Sequence, residues 1–249
     1  MLTKSLVKYI KSLKEKKNRD THKTFVVEGN KMVKELLGIL DCELLIYSCN
    51  DVKDLDFSRV KQIIEVKDDD ISKVSFQKNP QQMIAVFFQP NYQIESGLNN
   101  KLSLILDEIQ DPGNLGTIVR LADWYGIENI FCSKNTADIY NPKTVQATMG
   151  ALARVRVHYC DLEEFLSAHK DIPVYGTFLD GENIYEKKLS TNGFIVMGNE
   201  GNGISREVES YVNQRLFIPS YPPLKETSES LNVAVATAIT CAEFRRRIL

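Results

Sequence analysis

A chain of 249 residues with 43% hydrophobic and 26% charged side chains can bury a sizeable core, as one large domain or two smaller ones. Five cysteines without a CxxC pair and three scattered histidines argue against a structural zinc site and against a disulfide framework, and a net charge of −2 argues against a general polyanion binder. No stretch approaches the length of a membrane span, and the lysine-rich start lacks the apolar run of a signal peptide, so a cytoplasmic protein is expected.

Residues 2–17 read as one amphipathic helix with Leu2, Leu6, Ile10 and Leu13 on a common face. Lys4, Lys8, Lys11, Lys14, Lys16, Lys17, Arg19 and Lys23 stand against only Glu15 and Asp20, a cationic stripe that suits a phosphate backbone or a solvated helix face. Strands follow at 25–27, 44–47, 62–66 and 83–88, with helices over 31–40 and from Asp68 to near Phe76. This α/β unit of residues 1–90 has the size of a domain. The polar, aperiodic stretch 91–100 reads as a linker. From Leu102 onward strands alternate with longer helices, which predicts a parallel sheet covered on both faces, with binding sites beyond the carboxyl ends of its strands.

Three polar turns occupy that edge. The first, Asp107 to Arg120, leaves a strand, turns at Pro112-Gly113 and places Asn114 at the cap of a helix over 116–125. Arg120 in this apolar helix is costly unless paired, so a structural ion pair and a functional role are both open. The second, Gly198 to Ser205, follows a buried strand and carries Gly198, Gly201 and Gly203 around Glu200. It lacks the order of a phosphate loop or a dinucleotide fold, so a nucleoside without phosphates fits it, as does a merely tight turn. The third joins the strand Leu216–Ile218 to a helix capped by Ser228 or Ser230 and running nearly to Leu249. Ala234, Ala236, Ala238 and Ala242 among Val233, Val235 and Ile239 give that helix no polar face, so burial all round is expected, with Ser230 and Asn232 at its mouth. A capped core helix with nothing bound is the plainer alternative.

Together, Asp111-Pro112-Gly113-Asn114-Leu115-Gly116 with Arg120, Gly198-Asn199-Glu200-Gly201, and Ile218-Pro219 with Glu229-Ser230-Leu231-Asn232-Val233 resemble the three signatures of SpoU/TrmH-type RNA 2′-O-ribose methyltransferases of the SPOUT superfamily. The unit containing Phe25-Val26-Val27-Glu28-Gly29 resembles the L30e-like substrate-binding domain often fused to them. The resemblance implies an α/β protein whose C-terminal parallel-sheet SPOUT domain, residues 101–249, carries a deep trefoil knot and forms a homodimer. It implies S-adenosylmethionine as cofactor, no metal, no membrane, and methyl transfer to a ribose 2′-hydroxyl of ribosomal RNA in preference to transfer RNA. Arg120, Asn114, Glu200, Ser230 and Asn232 would stand at the reacting end. Thr177, Gly198, Asn199, Glu200, Gly203, Ile218, Pro219 and Leu231 would hold the cofactor. Lys8, Lys11, Arg19, Lys23 and Arg120 would meet RNA.

A guanidinium scarcely loses its proton, so Arg120 is read as a grip on phosphate and developing alkoxide, fixed in place by Glu200, with Asn114 and Ser230 orienting the hydroxyl. A non-catalytic RNA-binding assembly factor would retain the same fold. A serine enzyme built on Ser230 lacks a histidine near any of the three turns. Tyr221 to Glu226 departs from the shorter, glycine-containing loop of the family.

Overall fold

The computed structural model of the chain describes residues 2–49, 52, 53, 55–222 and 230–246. Its contacts separate into two units, Met1–Asn91 with Asp138–Ala153, and Tyr92–Ala137 with Arg154–Leu249. Among the described residues no helix is long and apolar enough to cross a membrane.

In the first unit α1 (Lys4–Ser12) and α2 (Lys16–His22) replace the single helix expected over 2–17. The break is held by side chains: Asn18 Nδ2 donates to Ser12 O at 2.9 Å, and Arg19 Nη1 donates to Leu13 O at 2.8 Å and Lys14 O at 2.7 Å. Ser12 O also accepts from Glu15 N at 3.0 Å, while the Leu13 and Lys14 carbonyls, past the end of α1, are supplied by Arg19. Then follow β1 (Thr24–Glu28), α3 (Asn30–Leu36), β2 (Cys42–Tyr47), β3 (Ile63–Glu65), α4 (Asp68–Val74) and β4 (Met83–Phe88). The sheet order is β1-β4-β2-β3, with β4 antiparallel to both neighbours and β3 parallel to β2. The unbroken apolar run of β4 accordingly sits in the sheet's interior, buried on both faces.

The second unit begins with β5 (Leu102–Leu106), α5 (Pro112–Trp124) and β6 (Asn129–Ser133). The chain then departs through α6 (Pro142–Thr148) and a 3₁₀ turn, Ala151–Ala153, that belong to the first unit. There Asp138 accepts from Arg19, Tyr140 meets the Phe25 ring at 4.7 Å, and Gln77 Nε2 donates to Gln146 Oε1 at 2.8 Å. It returns through β7 (Arg156–Cys160), α7 (Leu162–Ala168), β8 (Val174–Asn183), β9 (Gly193–Met197), α8 (Arg206–Glu209), β10 (Gln214–Phe217) and α9 (Val233–Arg246). All six strands run parallel in the order β10-β8-β9-β5-β6-β7, the sheet the alternation predicted. Its central strands β9 and β5 are wholly buried, as the apolar strands of a parallel sheet are; the small Ser103 is the one polar side chain in them.

Both expected caps move. Asp111 caps α5, accepting from Asn114 N at 2.9 Å with Pro112 in the first turn, so the helix starts before Gly116 and Asn114 lies inside it. Asn232 caps α9 in place of Ser230, its Oδ1 accepting from Ala234 N at 3.0 Å and Val235 N at 3.3 Å; Ser228 lies outside the described residues. Nor is α9 buried all round. Val235 is 48% exposed and Ala238, Ile239 and Ala242 are only half-buried. Its buried residues include Val233, Ala234, Cys241 and Phe244 and also the polar Thr237 and Thr240, whose hydroxyls donate to Val233 O at 2.7 Å and Ala236 O at 2.9 Å.

Buried His158 on β7 stacks on Phe131 with centroids 5.0 Å apart, and its Nε2 lies 3.2 Å from Asn129 Oδ1. Burial first, and nearby Arg156 second, hold the imidazole below its ordinary value of 6.5. Above that value folded and unfolded chains both carry it neutral. Below it the unfolded chain takes the proton first, so stability must fall. Urea denaturation is therefore expected to show lower stability at pH 5 than at pH 7, and a His158→Gln variant a flatter dependence over the same interval.

Candidate active site

Where β5 ends, Asp107 is buried (3% exposed) and its Oδ2 accepts from Ser205 N at 2.8 Å. Glu108 next to it takes a left-handed conformation, φ 57°, which bulky residues adopt only when their surroundings demand it. Those surroundings are visible: its N–H donates to Ser133 Oγ at 2.9 Å and its carboxylate accepts from Asn135 Nδ2 at 2.8 Å. The turn presents Glu108 O to Asn199, whose Nδ2 donates to it at 2.9 Å.

Asn199 shapes the glycine loop from within. Its Oδ1 accepts from Gly201 N at 2.9 Å and Asn202 N at 3.0 Å, and its backbone exchanges two hydrogen bonds with Gly203, at 2.8 and 3.0 Å. Gly203 has φ +73°, and a Cβ on Gly198 would stand 2.3 Å from Gly203 C and from Ile204 N. Both glycines are thus required, one for its backbone angle and one for its lack of a side chain.

Glu200 joins this loop to the first turn. Its carboxylate accepts from Asn114 Nδ2 at 2.9 Å, Gln110 N at 3.3 Å and Asp111 N at 3.5 Å. Burial works against its ionisation, yet the Asn114 amide and the backbone N–H groups outweigh it and hold the carboxyl below the usual range. Asn114 Oδ1 in turn accepts from Asn232 Nδ2 at 3.1 Å. One row of hydrogen bonds, Glu200 to Asn114 to Asn232, therefore ties together all three turns. Asn232→Ala removes both the cap and the end of the row. It is expected to lower stability by about 1 kcal/mol, read by thermal unfolding.

The other expected residues fall around this row. Ser230 and Leu231 are exposed just before α9, Ile218 and Pro219 are half-buried after β10, and Thr177 Oγ1 donates to Met197 Sδ at 3.9 Å. Of the Tyr221–Glu226 departure, Tyr221 and Pro222 are described, and Tyr221 is 89% exposed. Arg120 lies on the exposed side of α5 and needs no buried partner. Glu200, expected to fix Arg120, is engaged by Asn114 and the first turn's N–H groups instead.

The RNA residues also separate. Lys8 and Lys23 are exposed, and Lys11 donates to Ser75 O at 2.6 Å beside the Phe76 ring. Arg19 is a correction: it is 2% exposed and paired with Asp138 at 2.5 Å, so it is a strut of the fold rather than an RNA contact. Sequence reasoning missed Asp107, Glu108, Asn135 and Ser205. The capping role of Asp111 was missed as well, and it alone carried a readable signal, an aspartate directly before proline.

A parallel sheet with its polar turns gathered at the carboxyl edge defines an α/β domain with a ligand-binding edge there. Residues 101–242 match the SpoU rRNA Methylase family, and residues 4–85 match the MRM3-like substrate binding domain. The 23S rRNA (guanosine(2553)-2′-O)-methyltransferase RlmP of Bacillus subtilis is 32% identical over 245 residues, covering 96% of this chain and 95% of that protein. An AdoMet-bound rRNA methyltransferase from Sinorhizobium meliloti superposes with a TM-score of 0.88 at 31% identity, over 100% of this chain and 97% of the other. A TrmH-family structure from Porphyromonas gingivalis superposes with a TM-score of 0.90 at 40% identity, over 99% of each chain. The chain belongs to the SpoU rRNA Methylase family.

Proposed function

We propose that this protein transfers a methyl group from S-adenosylmethionine to a ribose 2′-hydroxyl of ribosomal RNA. The observation that carries the reading is the Glu200–Asn114–Asn232 row, which brings the three family turns to one place. When bound, S-adenosylmethionine would supply the methyl group from its sulfonium and leave as the thioether S-adenosylhomocysteine, the hydroxyl's proton passing to solvent water. The residues fit it: a glycine loop closed too tightly for a Cβ at Gly198 offers backbone groups, and Ile218 and Leu231 offer apolar surface to an adenine.

In this reading Asn114 and Ser230 orient the ribose hydroxyl, while Arg120, exposed and always charged, grips the neighbouring phosphate and stabilises the developing alkoxide. Glu200 holds the first turn and the glycine loop together, and Asn199 shapes that loop rather than touching the cofactor with its side chain. Arg120→Ala is expected to lower transfer to ribosomal RNA by about a hundredfold or more while calorimetric affinity for S-adenosylmethionine stays close to the parent's. Turnover surviving that substitution would remove Arg120 from the mechanism.

The reading also includes the trefoil knot and a homodimer through the C-terminal unit. In its support, α5 and α9 pack together and leave apolar side chains uncovered, Trp124 at 83% and Val235 at 48%. Sedimentation is expected to find a dimer for the parent and a monomer for Trp124→Glu.

A further inference from the structure

The end of β6 carries none of the three family turns, yet it grips one of them. β6 ends at Ser133, and the segment from Ser133 to Ala137 closes around the backbone that leaves β5. Ala137 N donates to Ile109 O at 2.8 Å, and Thr136 Oγ1 donates to Leu106 O at 3.1 Å. With its proton committed there, the Thr136 hydroxyl accepts from Ser133 Oγ, 3.1 Å away. The Ser133 oxygen in turn accepts from Glu108 N at 2.9 Å. Asn135 Nδ2 completes the clamp, donating to Glu108 Oε1 at 2.8 Å.

What the clamp enforces is the φ of 57° at Glu108. A Cβ disfavours that conformation, and only glycine takes it freely. Unheld, Glu108 would relax to negative φ and turn its carbonyl away. That carbonyl is the acceptor of Asn199 Nδ2 at 2.9 Å, and Asn199 is 9% exposed, so losing the acceptor leaves a buried amide unpaired. The opposite end of the same planar amide accepts from Gly201 N at 2.9 Å and Asn202 N at 3.0 Å. Fixing Nδ2 therefore fixes where Oδ1 points, and the glycine loop follows.

We infer that Asn135 and Glu108 are positioning residues for the cofactor loop. Asn135 holds Glu108 in its left-handed conformation, and Glu108 O sets the Asn199 amide that orders Gly201 and Asn202. Both act through Asn199 rather than on the cofactor or the ribose. The inference rests on the reading of the glycine loop as the cofactor's wall.

The test reads the loop in the full chain by hydrogen exchange at the Gly201 and Asn202 amides, and reads the cofactor by calorimetry with S-adenosylmethionine. Asn135→Ala and Glu108→Ala should each speed exchange at both amides about tenfold. Each should also weaken S-adenosylmethionine about fivefold, the effect of one unsupported left-handed residue. In methyl transfer the KM for S-adenosylmethionine should rise while kcat stays near the parent's. Glu108→Gly, alone or combined with Asn135→Ala, should bring both readings back to within about twofold of the parent, because glycine needs no holding. A merely structural role predicts the reverse order, since glycine loosens the unfolded chain more than alanine does. Parent-like exchange in Asn135→Ala overturns the inference, and so does a defect that Glu108→Gly fails to rescue. Exchange that follows the expected pattern in a protein that never binds S-adenosylmethionine would uphold the clamp and remove the cofactor from this loop.

Discussion

A Gly198→Ala variant is expected to lose measurable affinity for S-adenosylmethionine. The added Cβ would meet Gly203 C at 2.3 Å, Ile204 N at 2.3 Å and Gly203 O at 2.5 Å, all of them backbone atoms. None can swing aside as a flexible side chain would, because the paired Asn199–Gly203 hydrogen bonds close the loop over this point. Behind Gly198 stands Met197, 1% exposed at the end of β9, so the strand cannot retreat either. The clash therefore opens the loop at a cost of about 3 kcal/mol and displaces the wall assigned to the cofactor. Gly201→Ala is the matched control: its Cβ meets only Asn199 Oδ1, at 3.6 Å, and it should bind as the parent does. Calorimetry on both variants checks the contrast, and parent-like binding by Gly198→Ala would take the cofactor away from this loop.

The second large effect belongs to Arg19. Its guanidinium reaches Asp138 Oδ2 through Nη2 at 2.5 Å and Nε at 3.2 Å, and it also supplies the carbonyls of Leu13 and Lys14. Arg19→Ala leaves Asp138, 15% exposed at its side chain, without its cation, and leaves the end of α1 without its donors. Removing one partner of a buried pair is costly because the other charge stays behind, so a loss of about 3–5 kcal/mol is expected in urea denaturation. Lysine cannot reproduce the forked geometry and should recover only part of it. The same logic makes a fragment of residues 1–91 fail to fold alone, since it lacks Asp138 and the α6 segment. Undiminished stability with weakened RNA binding in Arg19→Ala would instead restore Arg19 to the RNA surface.

The central strands were legible because burial on both faces requires apolar runs: Phe194–Met197 is unbroken, and Leu102–Leu106 is interrupted only by the small Ser103. The three turns were legible because each follows a strand and combines glycine or proline with polar side chains. What escaped depends on partners distant in sequence. Nothing local separates Arg19 from the solvated lysines around it; only Asp138 does. Residues 138–153 show a helical pattern that does not say which unit they complete. Glutamate gives no hint of the left-handed conformation that Ser133 and Asn135 impose on Glu108. The cap of α9 went to Asn232 although Ser230 is an equally good capping residue, because Asn232 can also reach Asn114.

The central claim is that the row from Glu200 through Asn114 to Asn232 marks a site of ribose methylation. Its most direct test is to incubate the purified full chain with ribosomal RNA and isotopically labelled S-adenosylmethionine, digest the RNA to nucleosides and analyse them by mass spectrometry. Label in a 2′-O-methylnucleoside, absent with Arg120→Ala, is the predicted result. Label confined to a base, or none at all from a protein that binds the cofactor, would contradict it.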